Sequence, residues 1–245
     1  MRRILVIPDV HLKPEMFDRA EAVLFRMKKE SGDEASAVCL GDLADDWRRQ
    51  YDMPLYERTY ARARRFAEEF PDTIWCLGNH DVSYLWPEGR NETGYSTTYE
   101  YLIRKEIKRF MTSRAVRDGI RFVARIGRTL FSHAGVMKAY VEAFVPDGLD
   151  DVDAAVDAMN GFGAAEMWND LSPIWIRPQR NRLEAFPKGF LQVVGHTPMK
   201  EISYDAEREI LSCDVFSTDR NRMKYGEERF VEVDPDAKTW RRVDE

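Results

Sequence analysis

Five short apolar runs in this chain each end in a small polar cluster, and that repetition limits the fold more than any other feature. Arg3 to Ile7 leads to Asp9-Val10-His11, Ala37 to Leu40 to Gly41-Asp42, and Thr73 to Leu77 to Gly78-Asn79-His80-Asp81. Thr129 to Phe131 leads to Ser132-His133-Ala134-Gly135, and Phe190 to Val194 to Gly195-His196-Thr197-Pro198. Short, continuous apolar runs rich in β-branched residues read as buried strands. Polar groups that follow such strands gather in loops at one edge of a sheet, where α/β folds place their ligands. Ordinary strand-ending turns also use Gly, Asn and Asp, which accounts for the glycines. It does not account for all four histidines of the chain, His11, His80, His133 and His196, falling in these clusters. Imidazole, carboxylate and amide oxygen with no thiolate among them suit divalent Mn, Fe, Zn or Ni. The pattern therefore points to metal-assisted hydrolysis.

Between the first three strands, Phe17, Ala20, Leu24 and Met27 recur at helical spacing, with Gly32 as the stop. Leu55, Ala63, Phe66 and Phe70 do the same after Asp52 and Pro54, ending at Pro71. Strand, helix, strand, helix, strand predicts a βαβαβ unit with parallel pairing. In the second half, Ile120, Phe122 and Ala124 alternate with polar residues, Gly127 turns the chain and Thr129 to Phe131 follows, which predicts a hairpin. Further strands are expected around Ile202, Glu209 to Ser212 and Arg229 to Val233. Trp86 to Thr98 reads as a long loop before a helix from Tyr99 to Met111, and Asp147 to Pro187 as a long irregular segment, the kind of loop that carries function. With no linker, repeat or low-complexity tract, residues 1–245 are expected to form one domain.

The 245 residues supply a core of useful size, and 44% hydrophobic with 33% charged residues is ordinary for a soluble globular chain. A net charge of -6 argues against general nucleic-acid binding, although a local basic patch is compatible with it. Arg62, Arg64 and Arg65 form such a stretch, but Glu57, Glu68 and Glu69 flank it, so a solvated helix face is expected. Trp168 and Trp175 read as core filling before base stacking. The apolar run after Met1-Arg2-Arg3 stops at Pro8, too short for a signal peptide, and no window is long enough to span a membrane. Three cysteines, Cys39, Cys76 and Cys213, without a CxxC, fit reduced thiols and a cytoplasmic location.

Taken in order, D-x-H at Asp9 and His11, G-D at Gly41 and Asp42, G-N-H-D at Gly78 to Asp81, S-H-A-G at Ser132 to Gly135 and G-H-T-P at Gly195 to Pro198 resemble the motifs of calcineurin-like metallophosphoesterases. The G-H-T-P ending is similar to the bacterial and phage branch of the phosphoprotein phosphatases. The resemblance implies an α/β fold, a two-sheet β-sandwich flanked by helices, with a dinuclear site at one edge. It implies a first metal on Asp9, His11 and Asp42, and a second on Asp42, Asn79, His133 and His196, with Asp42 as the bridge and Mn as the leading metal. Two such cations clamp the attacking and leaving oxygens of an in-line displacement and acidify water. His80 is implied as the general acid, oriented by Asp45, three residues after the bridging Asp; Asp81 is the alternative partner, or else fixes the loop.

The resemblance is incomplete where substrate phosphate is bound. The phosphoprotein phosphatases carry G-D-x-x-D-R, whereas this chain reads Gly41-Asp42-Leu43-Ala44-Asp45-Asp46, without the arginine. Arg48 and Arg49 are candidates to reach back, and Arg177, in Trp175-Ile176-Arg177-Pro178, resembles a Trp-x-Arg-Pro run of some bacterial relatives. A guanidinium fork suits phosphate, but each of these also reads as a solvated surface residue. The implied activity is hydrolysis of a phosphate ester by metal-bound hydroxide, with a phosphomonoester on a phosphoprotein or small molecule leading. The alternatives are a phosphodiesterase acting on nucleotides or nucleic acid, and a non-catalytic interaction scaffold, which ligand loss would mark and which the filled ligand positions disfavour.

Overall fold

In the computed structural model, which describes residues 2–31, 34–89 and 92–244, the first apolar run forms strand β1 (Arg3–Ile7), with Ile4, Leu5, Val6 and Ile7 fully buried. A strand buried on both faces needs cover on both. Helices supply one cover and a second sheet the other, so β1 shares a core with Phe17 and Phe66 as well as Phe131 and Val193. The first half continues through α1 (Glu15–Ser31), β2 (Ala35–Cys39), α2 (Met53–Glu69), β3 (Ile74–Cys76), α3 (Asn79–Leu85), α4 (Glu100–Met111) and β4 (Ile120–Arg121). The second half contributes β5 (Val123–Ile126), β6 (Thr129–Ser132), α5 (Lys138–Phe144), α6 (Val152–Asn160), α7 (Ala164–Met167), β7 (Leu191–Val194), β8 (Ser203–Asp205), β9 (Ile210–Ser212), β10 (Phe230–Asp234) and β11 (Thr239–Val243).

One sheet has the order β11-β10-β1-β2-β3-β4 and the other β5-β6-β7-β9-β8. β1 to β4 pair in parallel, as the βαβαβ reading requires, and β6, β7 and β9 are parallel in the second sheet. The expected two-sheet α/β sandwich is the fold. Outside the first sheet, Phe17 of α1, Phe66 of α2 and Phe110 of α4 close on Trp75 of β3 with ring centroids 5.8, 6.2 and 5.0 Å away. These aromatic contacts dock three helices onto one strand.

Some elements depart from the sequence expectation. The hairpin does not begin at Ile120, because β4 stays with β3 in the first sheet and the chain changes sheets at Phe122 before β5 pairs with β6. Asn160 holds that crossing, its Oδ1 accepting from Phe122 N and Val123 N (2.7 and 3.1 Å) and its Nδ2 donating to Val123 O (2.8 Å). The segment from Asp147 to Pro187 is less irregular than expected, since Asp151 caps α6 by accepting from the backbone of Asp153 and Ala154. Strand β11 was not expected either; it is an edge strand with little burial outside Val243. Arg62 is not solvated: it is buried between α2 and α1, donating to Asp18 (2.6 Å) and Glu21. α1 ends at Ser31, and Gly32, its expected stop, lies outside the described residues.

Candidate functional site

The ends of β1, β2 and β3 from one sheet meet the ends of β6 and β7 from the other, and the loops there are strained. His11, Asp42, Asp45 and His196 have φ of 43, 47, 61 and 62°, a left-handed region costly for residues with a Cβ. Hydrogen bonds hold them there. His11 N donates to Asp42 O (2.7 Å), and Asp81 accepts from Asp42 N, Leu43 N and Gly78 N (2.8, 3.0 and 3.1 Å). Asp81 thus fixes the loop and is not beside His80 as its partner. Two glycines are demanded by close approach: a Cβ on Gly78 would lie 2.0 Å from Asp42 Oδ1, and one on Gly195 2.0 Å from Asp9 Oδ2.

Backbone carbonyls determine which imidazole nitrogens carry protons, because a carbonyl only accepts. His133 Nδ1 lies 2.9 Å from Leu40 O and His196 Nε2 3.0 Å from Trp175 O, so His133 Nε2 and His196 Nδ1 keep their lone pairs. These face each other at 3.1 Å, with Asn79 Oδ1 2.9 Å and Asp42 Oδ2 3.3 Å from His133 Nε2. His11 Nδ1 is likewise engaged by Asp45 O (3.0 Å), leaving Nε2 3.8 Å from the same Asp42 Oδ2. Acceptors crowded in this way require a cation or an added proton between them. The donors form two groups with mutual distances within 4.8 Å, His11, Asp42 and His80 in one and Asp42, His133 and His196 in the other, sharing Asp42.

Asp9 joins neither group, but its Oδ1 accepts from His196 N (2.9 Å) and its buried Oδ2 has no hydrogen-bond partner among the described residues. Burial and the neighbouring Asp214 push its pKa well up. Burial acts the same way on Asp42, but His133, His80 and His11 override it and hold that carboxylate charged. His133 is pushed up to about 9, its burial outweighed by Asp42 and Asp9. The electrostatics therefore favour positive charge at this spot, and the unshared lone pairs fit divalent cations.

His80 enters in the first turn of α3 and its Nδ1 lies 2.9 Å from Asp45 Oδ2. The other oxygen of Asp45 accepts from two phenols, Tyr56 (2.7 Å) and Tyr84 (2.6 Å), and Tyr84 in turn accepts from Ser96 N (2.8 Å). Burial would lower the His80 pKa, but Asp42 and Asp45 outweigh it and push it up to about 10. The imidazole is therefore held in the form that can donate a proton.

These groups open into a cavity of about 170 Å³ lined by His11, Asp42, Asn79, His80, Arg177 and His196, and also by Asp46, Trp47 and Glu92. Arg177 Nη1 donates to His196 O (2.8 Å) and Thr197 Oγ1 (3.2 Å), anchoring the guanidinium beside the donor groups. Arg48 is not among the residues that line this cavity. Its turn, closed by Arg49 N donating to Asp46 O (3.1 Å), presents Trp47 to the cavity and leaves Arg48 exposed, outside the lining. Arg49 is engaged by Asp52 at 3.1 Å. Trp168 packs edge-on between Trp86 and Trp175, and Trp175 lies against His196 at 5.9 Å.

Sequence reasoning missed two acids. Asp214 is fully buried, close enough to raise the pKa of Asp9, with one oxygen accepting from Ser217 (2.6 Å) and the other without a partner among the described residues. It follows β9 as Asp9 follows β1, so the strand-then-acid rule would have found it. Glu92 comes from the long loop after α3, where no periodicity marks a residue.

The chain matches the model of calcineurin-like phosphoesterases over residues 2–227. It belongs to that family. The protein is therefore a metal-dependent hydrolase of phosphate esters, in a family that works with two metals. Its fold is similar to a cold-active protein-tyrosine phosphatase of a Shewanella species, at 15% identity and TM-score 0.53, covering 99% of this chain and 80% of that one. It is also similar to a serine/threonine phosphatase of Saccharomyces cerevisiae, at 10% identity and TM-score 0.52, covering 96% and 73%. A hypothetical protein of Pyrococcus horikoshii aligns at 10% identity and TM-score 0.53, covering 100% and 88%. At these identities the likeness concerns the fold. No curated protein matches the chain. No described helix is long and apolar enough to cross a membrane.

Proposed function

We propose that the protein hydrolyses a small phosphomonoester. The observation that carries this reading is the pairing, in one cavity of about 170 Å³, of the crowded donors with Arg177 on one side and the His80–Asp45 dyad on the other. Asp9, His11 and Asp42 would hold the first metal, and Asp42, Asn79, His133 and His196 the second, with Asp42 common to both. When bound, two divalent cations, manganese in first place, supply Lewis-acid charge for the phosphate and hydroxide at neutral pH. Arg177 binds the phosphoryl oxygens, and the dianion of a monoester profits from that extra cation more than the monoanion of a diester does. His80 delivers its proton to the departing ester oxygen, and Asp45 keeps the imidazole aimed.

A cavity this small, with Asp46 and Glu92 in its lining, disfavours a polyanionic strand. The three cysteines are buried free thiols, which suits a reducing cytoplasm, and the reading treats residues 1–245 as one phosphoesterase domain. The test is to compare p-nitrophenyl phosphate with its bis ester on manganese-loaded protein. The monoester should be turned over faster, and Arg177→Ala should lower its kcat/KM by one to two orders of magnitude, about 1.5 to 3 kcal/mol. Arg177→Lys should recover little, because an ammonium cannot reproduce the fork. A faster bis ester, with Arg177→Ala unchanged, would transfer the reading to a phosphodiesterase.

A further inference from the structure

Of the three carboxylates that line the cavity, two are committed. Asp42 Oδ1 accepts from His80 N (2.9 Å), and its Oδ2 faces His133 and His11. Asp46 Oδ1 accepts from Trp47 N and Thr218 Oγ1, both at 2.8 Å, and Arg222 lies 4.0 Å from Oδ2. Glu92 differs. Burial raises its pKa, while the nearby His80 and Asn79 side chains act in the opposite sense and favour its charge. The residue lines the same cavity, and its buried Oε1 has no hydrogen-bond partner among the described residues. A buried carboxylate oxygen left without a donor costs free energy unless something in the functioning complex supplies one. The lining also includes Trp47, whose ring carries the Arg220 guanidinium 5.6 Å from its centroid, so an aromatic face that attracts cations lies at the same cavity.

Arg177 and His80 place the two ends of a substrate. The phosphoryl group belongs beside Arg177, the ester oxygen beside His80, and the alcohol portion therefore extends toward Glu92. We propose that Glu92 is a specificity residue that selects phosphomonoesters whose alcohol carries a protonated amine close to the ester oxygen. Its carboxylate accepts a charge-assisted hydrogen bond from that ammonium. A substrate with a methyl group at the same position leaves the Glu92 carboxylate unpaired, and an anionic group there is repelled.

The inference rests on the phosphomonoesterase reading, so the experiment separates the two. Calorimetry on manganese-loaded protein compares 2-aminoethylphosphonate with n-propylphosphonate, which differ by ammonium against methyl. The aminoethyl ligand should bind wild type about tenfold or more tightly than the propyl one. Glu92→Gln should abolish that ratio while leaving propylphosphonate binding and manganese content nearly unchanged, and Glu92→Asp, with the charge kept, should retain part of it. Equal affinities in wild type overturn the inference. So does a Glu92→Gln variant that weakens both ligands alike or loses manganese, since that is the mark of a residue that only orients Asn79. Hydrolysis of phosphoethanolamine and n-propyl phosphate completes the separation. Equal turnover of both, unchanged in Glu92→Gln, removes the ammonium preference but keeps the phosphatase reading. A Glu92-dependent binding preference with no turnover of either ester removes the phosphatase reading but keeps the cation subsite.

Discussion

His80 has its Nδ1 taken by Asp45, so only Nε2 is free to serve a substrate, and the three hydrogen bonds on Asp45 leave that carboxylate little freedom to move. A proton donor matters in proportion to how badly the leaving group needs a proton. His80→Ala should therefore lower kcat on alkyl phosphates by about 10²- to 10⁴-fold and much less on p-nitrophenyl phosphate. Tyr84→Phe removes one of the two phenols from Asp45 and should show the same leaving-group dependence, weaker, at roughly 3- to 10-fold, with manganese content unchanged. Steady-state kinetics over a series of leaving groups checks both. A slowing of equal size on alkyl and aryl esters would make Tyr84 a packing residue only.

At the level of elements, Glu232 on β10 ties the edge of the first sheet. It accepts from Arg3 of β1 (2.5 and 2.7 Å) and from Arg241 of β11 (2.7 and 3.1 Å). Burial would raise its pKa, but the hydrogen bonds from Arg3 and Arg241 outweigh it and hold it below the ordinary glutamate value. A carboxyl with a folded pKa below its unfolded one, about 4.3, stabilises above that unfolded value and loses the contribution as pH falls through the folded one. Glu232→Gln should cost about 1 kcal/mol at neutral pH, fading in acid below about pH 4. Chemical denaturation at pH 7 and pH 3 measures it, and an equal loss at both would mean that charge is not the cause. The same scale shows what a sequence can disclose. Strands that end in polar clusters were legible because burial on both faces leaves continuous apolar runs. The sheet change at Phe122 was not, since the alternation of Ile120, Phe122 and Ala124 looks like one strand, and only the distant Asn160 reveals the break. α6 was hidden by its acidic composition, although Asp151 is an ordinary cap. Asp45 and His80 were found through the family motif, while Tyr56, Tyr84 and Glu92 meet them only through tertiary contacts.

At the level of the whole molecule, two sheets deliver acids and imidazoles from opposite sides to one edge, and the chain alone leaves them poorly balanced. Asp214 raises the pKa of Asp9, burial raises that of Asp214 itself, and His133 and His196 turn lone pairs toward one another. Folding brings these groups together at a cost that bound cations would offset, since a ligand that binds only the folded form stabilises it. The most direct measurement is anomalous scattering at the manganese edge from crystals grown with manganese. Two peaks per chain, both within coordination distance of Asp42, with one reaching Asp9 and His11 and the other Asn79, His133 and His196, are the expected result. A fully occupied crystal with a single peak, or with none beside Asp42, would contradict the dinuclear site on which the proposed activity stands.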